Sequence, residues 1–247
     1  MNICIDQGNS RTKVALFDKD GKLVKHLMYK QFSSVDVERL FSLYPALTNS
    51  IISSVVNLEP ALVNVLHRLS ERFILFDHHT PVPIQNDYES PETLGQDRLA
   101  AAVGAATLFP QTDLLIVDAG SAITYDVVTA EGHYLGGNIA PGIKMRFSSL
   151  HQLTKKLPLV DVDENSLIPL FGKNTQDAIS AGVVRGVAYE VKGYIQTLSK
   201  RGRKSQVVLT GGNAPFILNH VKAAIHHERN LVLIGLNTIL SHNIERS

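Results

Sequence analysis

The sequence predicts an α/β fold made of two related lobes facing one another across a cleft, with the active site in that cleft. Strands alternate with helices along the chain, and one strand–turn–strand unit occurs twice. A length of 247 residues with 44% apolar side chains allows a large core, one that buries about 70% of the unfolded surface. The repeat divides the chain into a lobe over residues 1–112 and another over 113–247.

Asn2 to Asp6 is a short apolar run, followed by the turn Gln7-Gly8-Asn9-Ser10, a second run from Lys13 to Phe17 and a turn at Asp18-Lys19-Asp20-Gly21. Ser34 to Leu43 has helical spacing, Ser50 to Val56 is β-branched, and Leu62, Val65, Leu66, Leu69 and Phe73 follow a helical period. A strand from Phe73 to Phe76 leads into a polar loop from Asp77 to Glu92, and then a small-residue helix runs from about Gln96 to Leu108. Leu114 to Val117 reads as a strand, and Thr175 to Ser199 as a helix capped by Asn174 or Thr175. Val207 to Thr210 reads as a strand, with a final helix from about Asn237.

Composition removes several function classes. A formal charge of +1 offers no basic field for a nucleic-acid backbone, so nucleic-acid binding is not expected. The one cysteine, Cys4, cannot close an internal disulfide and is expected in the core. The N-terminus opens into a strand, and no apolar run is long enough to span a membrane; together these point to the cytoplasm.

The internal echo carries the chemistry. Ile5-Asp6-Gln7-Gly8-Asn9-Ser10, with Thr12 and a distal Asp20-Gly21, recurs as Val117-Asp118-Ala119-Gly120-Ser121-Ala122, with Thr124 and a distal Glu131-Gly132. Either turn alone fits an ordinary hairpin with a self-capping Asp. Paired, they suit polyphosphate, because glycine lets the backbone approach a ligand and successive N–H groups form an anion-binding hollow. Asp6 and Asp118 would repel that anion unless a cation, commonly Mg²⁺, lay between them. Asn9, Ser10, Ser121 and Lys13 add donors and a positive charge of the kind phosphoryl transfer uses.

A third glycine-rich element, Thr210-Gly211-Gly212-Asn213-Ala214, follows a strand and could admit a base or ribose. Neither a P-loop nor a Rossmann fingerprint is present. The segment from Asn86 to Arg98 has the residues of an acceptor site. Asp97 could take a proton from an alcohol, and Arg98 could fork onto a carboxylate or steady phosphate charge, although Asp97 also fits a plain first-turn helix carboxylate. His78-His79, His220 and His226-His227 lack a metal-ligand spacing, and Lys200-Arg201-Gly202-Arg203-Lys204 reads as a solvated basic loop.

Five motifs in order, Asp6-x-Gly8-Asn9-Ser10-x-x-Lys13, Gly95-x-Asp97-Arg98, Asp118-Ala-Gly120-Ser121-Ala-Ile-Thr124, Gly136-Gly137-x-Ile139-x-Pro141-Gly142 and Thr210-Gly211-Gly212, span nearly the whole chain. In them the sequence resembles the type III pantothenate kinases, a branch of the acetate and sugar kinase, Hsp70 and actin superfamily. The resemblance implies two ribonuclease-H-like lobes and ATP-dependent phosphorylation of pantothenate to 4'-phosphopantothenate, the first step toward coenzyme A. It implies Asp97 as proton acceptor; Tyr88, Gly95, Gln96, Arg98 and Thr175 as pantothenate contacts; and Asp6, Gly8, Asn9, Ser10, Arg11, Thr12, Lys13 and Ser121, with Gly211 and Gly212, as ATP contacts. It further implies Mg²⁺ on the nucleotide near Asp6, a potassium or ammonium ion at Asp118, and a homodimer. Ser10 and Ser121 depart from the threonine usual in the family, keeping the hydroxyl and losing a methyl. Another kinase of the superfamily would need a different acceptor motif. A regulatory relative could dispense with the base, which this chain retains.

Overall fold

The computed structural model describes residues 1–202 and 205–246, so Arg203 and Lys204 of the basic run lie outside the described residues. Compactness separates one unit of Met1–Pro110, Gly132–Tyr134 and Asn230–Ser247 from a second of Gln111–Glu131 and Leu135–Arg229.

The first unit opens with β1 (Asn2–Gln7), β2 (Thr12–Phe17) and β3 (Leu23–Tyr29). It continues through α1 (Ser34–Leu43), β4 (Asn49–Ser54), α2 (Pro60–Leu69), β5 (Arg72–Leu75), β6 (Gln85–Asn86) and α3 (Gln96–Leu108). The second unit contains β7 (Leu114–Ala119), β8 (Ala122–Val128), most of β9 (His133–Pro141), α4 (Ile143–Gln152), α5 (Thr175–Lys200), β10 (Gln206–Thr210), α6 (Ala214–Leu218) and β11 (Ile225–His227). The closing helix, α7 (Leu231–Glu245), groups with the first unit.

The echo is a duplication of topology. The first sheet has the order β3-β2-β1-β4-β5, and the second contains β9-β8-β7-β10-β11, the same arrangement with each strand replaced by its counterpart. In both, a hairpin is antiparallel (β1 with β2, β7 with β8) and the later strands join in parallel (β4 on β1, β10 on β7). The two distal turns also match, since Gly21 and Gly132 both take left-handed backbone, φ 76° and 83°, where a side chain would be strained. This is the ribonuclease-H-like pattern the sequence implies.

Local chemistry fixes the elements. The α1 helix starts where the Ser33 backbone N–H donates to the Asp36 carboxylate at 2.9 Å, α2 starts on Pro60, and α5 starts where the Asp177 N–H donates to Asn174 Oδ1 at 2.9 Å. Asn174, rather than Thr175, is therefore the cap. The helical period read through Phe73 ends earlier than that, because α2 stops at Leu69 and Phe73 belongs to β5. The polar loop is anchored by β6, which pairs in parallel with His133 and Tyr134. α7 begins at Leu231, ahead of the expected Asn237.

Alternation along β1 sends Ile3 and Ile5 into one core, with Val14, Leu16, Ile52, Val37, Leu40, Leu62 and Leu66. Cys4 and Asp6 face the opposite side of the sheet, where α3 and α7 pack. Those helices approach at backbone distance. A Cβ on Gly104 would overlap the Leu231 carbonyl, and one on Gly235 would overlap the Ala100 carbonyl. The second unit has its own core, with Val117, Ile123, Tyr125, Phe147, Val184, Val187 and Leu209 among its members.

Two substitutions test this packing by thermal unfolding. Gly235→Ala destabilises by about 1–3 kcal/mol through overpacking, despite alanine's better helix propensity. Gly193→Ala, at an open position of α5, is neutral or stabilising by up to about 1 kcal/mol.

Candidate active site

In the first unit the predicted groups gather at the ends of β1 and α3. Asp6 ends the apolar part of β1 and is 9% exposed. Burial pushes its carboxyl up to about 6; Lys13 pulls it down and the charge of Asp97 adds to the rise. Lys13 lies across the hairpin from Asp6 in the strand register, its Nζ 4.0 Å from Asp6 Oδ2. The turn between them is tight: the Gly8 N–H donates to the Arg11 carbonyl at 3.1 Å, and a Cβ on Gly8 would lie 3.3 Å from that oxygen. Asn9, Ser10 and Arg11 are exposed at its tip, with Arg11 Nη1 2.9 Å from Met28 Sδ, and Thr12 is buried beneath.

Asp97 stands half-buried in the first turn of α3, where it accepts a hydrogen bond from the Arg98 N–H at 2.9 Å. Gly95 precedes it because a Cβ there would come within 2.6 Å of Asp97 Oδ1. The buried Arg98 places its guanidinium 5.6 Å from the centre of the Tyr88 ring. The Tyr88 N–H donates to Asn86 Oδ1, and its ring neighbours that of Tyr134 at 6.2 Å. Gln96 Nε2 donates to the Leu94 carbonyl. The structure thus brings together Asp6, Lys13 and Asp97, and separately Tyr88 with Arg98.

Composition missed one residue of this unit. Ser53, opposite Asp6 in the parallel register and therefore on the same face of the sheet, is fully buried and its Oγ has no partner; Gln7 Oε1 and Gln96 Oε1 are buried and unpartnered too. A serine within the apolar run of β4 was the available signal, legible only once register was known.

The second unit carries the other half of the prediction. Asp118 is half-buried near the end of β7 and Ser121 is exposed in the turn that follows. Gly211 sits against this turn with φ 91°, where a Cβ would meet Asp118 Oδ1 at 2.5 Å, and Gly212 is exposed. Asn213, which the sequence reading left without a role, donates from Nδ2 to the Gly120 carbonyl at 2.9 Å. Thr175, at the start of α5, lines a cavity of about 830 Å³ with Arg146, Leu150, Lys173, Ile179 and Val183.

Among the described residues no three acidic, histidine or cysteine side chains form a metal cluster. Oxygen donors at a buried carboxylate fit Mg²⁺ that is held chiefly by phosphates and water. Burial outweighs the one nearby positive charge, that of Lys13, so the Asp6 carboxyl stays raised. No helix among the described residues is long and apolar enough to cross a membrane.

The sequence model of the type III pantothenate kinase family matches residues 2–197. A type III pantothenate kinase of Phocaeicola vulgatus is 45% identical, covering 98% of this chain and 99% of the relative, and one of Bacteroides fragilis is 42% identical with 98% of each covered. Among solved structures, a Campylobacter jejuni protein described as a Baf family transcriptional activator superposes with a TM-score of 0.65 at 21% identity over 98% of this chain and 99% of that one. The activator of 2-hydroxyisocaproyl-CoA dehydratase from Clostridium difficile, with bound ADPNP, gives a TM-score of 0.57 at 11% identity over 99% and 96%. These structural likenesses establish the fold alone.

The raised Asp6 carboxyl has a testable sign. The folded state holds a proton on Asp6 up to about pH 6 and the unfolded chain only to about 3.8. Stability from this group is therefore full below 3.8 and is lost as pH rises through 6. Urea unfolding of the ligand-free protein at pH 4.5 and 7.5 should show Asp6→Asn relatively more stable at the higher pH, by about 1–3 kcal/mol.

Proposed function

Since the chain belongs to the type III pantothenate kinases, a family of phosphotransferases, we propose that it transfers the γ-phosphoryl group of ATP to the primary alcohol of pantothenate. The products are 4'-phosphopantothenate and ADP, and the reaction opens coenzyme A biosynthesis in the cytoplasm. The observation that carries the assignment of roles is the half-buried Asp97, whose charge reaches Asp6, beside an arginine held over Tyr88.

In this reading Asp97 accepts the hydroxyl proton as the alcohol oxygen bonds to phosphorus and the bond to the ADP oxygen breaks. Arg98 and Tyr88, with Gly95 and Gln96, orient the acceptor, and the Arg98 fork suits the pantothenate carboxylate. Thr175 contributes a hydroxyl beside a cavity walled by Leu150, Ile179 and Val183, apolar surface of the kind the acceptor's methyl groups would bury. The turn from Asp6 to Lys13 suits the phosphates of ATP, and Ser121, Gly211 and Gly212 are assigned as nucleotide contacts by the family resemblance. Lys13 and the turn amides steady charge on the phosphates as it shifts. Mg²⁺ bound with the nucleotide would neutralise phosphate charge, and Asp6 is the carboxylate that would help to hold it. Asp118 is the residue for an activating potassium or ammonium ion, and the working assembly is a homodimer.

ADP release with ATP, Mg²⁺ and pantothenate tests the reading, in potassium or ammonium buffer against sodium. The expected result is turnover that requires pantothenate and the larger cation. Turnover in any cation removes that role from Asp118, and no turnover from folded protein removes pantothenate as acceptor. Asp97→Asn should fold normally and lose about 10²- to 10⁴-fold in kcat, the usual share of general-base catalysis; near-normal turnover would show that Asp97 is not the base.

A further inference from the structure

The turn bearing Asp118 and Ser121 is shaped from outside. On one side Asn213 grips it, the backbone N–H donating to the Ala119 carbonyl and Nδ2 to the Gly120 carbonyl, both at 2.9 Å. On the other side the Gly142 N–H donates to the Ser121 carbonyl at 3.1 Å, so close that a Cβ on Gly142 would overlap the carbonyls of both Gly120 and Ser121.

The peptide that delivers Gly142 is itself held. Arg146 Nε donates to the Pro141 carbonyl at 2.7 Å, while Nη1 and Nη2 fork onto Glu190 at 2.6 and 2.8 Å. Glu190 also accepts from the Tyr125 hydroxyl at 3.0 Å, and the Tyr125 ring stacks on Tyr194 at 4.3 Å. Burial and the neighbouring Glu190 hold the Tyr125 phenol well above its ordinary range, which keeps it a donor. Burial would raise the Glu190 carboxyl, but the hydrogen bond and the positive charge of Arg146, with the hydrogen bond from Tyr125, more than offset this and hold it below its usual value.

The side chains of Arg146 and Glu190 are 19% and 36% exposed. The pair is thus partly buried and bidentate, and its third contact, from Nε to the Pro141 carbonyl, ties the fork to the peptide that meets the turn. We propose that Arg146 and Glu190 are positioning residues for the nucleotide turn: the pair fixes the Pro141–Gly142 peptide, that peptide fixes Ser121, and the Ser121 hydroxyl is thereby presented to ATP. The role needs arginine, since only a planar guanidinium donates to a carbonyl through one nitrogen and to a carboxylate through two others. The inference rests on the reading of Ser121 as an ATP contact.

The test combines calorimetric Mg·ATP affinity with steady-state kinetics on Arg146→Lys and Glu190→Gln. Arg146→Lys should weaken Mg·ATP binding and raise the ATP KM by about tenfold, the loss of roughly one good charged contact. Glu190→Gln, whose side chain does not line the acceptor cavity, should raise the ATP KM by a smaller factor while kcat stays within about threefold and the pantothenate KM within about twofold, the pattern of lost ground-state binding. It decides the matter if Arg146→Lys does not fold. Unchanged ATP affinity in folded variants would overturn the inference. So would a rise confined to the pantothenate KM, which would assign Arg146 to the acceptor cavity it also lines. Wild-type protein that binds Mg·ATP without pantothenate-dependent ADP release would sink the pantothenate reading alone, and the calorimetric comparison would still judge Arg146.

Discussion

A carboxylate held almost out of water sets the electrostatics at the end of β1. Strand alternation leaves no choice about Asp6: with Ile3 and Ile5 committed to one core, Cys4 and Asp6 must face the other side of the sheet. There burial disfavours the charged form, Asp97 disfavours it further, and Lys13 at 4.0 Å compensates only in part. The Asp6–Lys13 contact is therefore a poor structural ion pair, since the carboxyl it holds is biased toward its neutral form.

The second unit solves a related problem differently with the same topology. Its first hairpin also ends in Asp and glycine, yet Asp118 is half-buried where Asp6 is buried, and the turn beyond it is gripped by groups from far along the chain, Asn213 on one side and Gly142 on the other. Duplication preserved strand order and the left-handed glycines of the distal turns. It left the side chains free to diverge, because strand pairing is satisfied by backbone groups and says little about what projects from the strand ends.

Close backbone approach recurs wherever function or packing is tight. Gly95 leaves room for the Asp97 carboxylate, Gly211 for Asp118, Gly142 for the carbonyls of Gly120 and Ser121, and Gly104 with Gly235 for the crossing of α3 and α7. At each of these a methyl group would collide with main chain or with a short carboxylate, which cannot swing aside as the tip of a long side chain could.

Sequence alone determined the α/β class, the repeat, and helices such as Ser34–Leu43 and Gln96–Leu108, because periodicity, caps and turn glycines are local signals carried by neighbouring residues. It also determined the family, because five spaced motifs fix chemistry independently of geometry. Tertiary structure decided what depends on partners distant in the chain. Register brought Ser53 beside Asp6, packing drew α7 into the first unit against α3, and a parallel partner turned part of a polar loop into β6. The Arg146 fork onto Glu190 belongs to the same class: the two residues stand on different helices, and no local pattern in either announces that they meet.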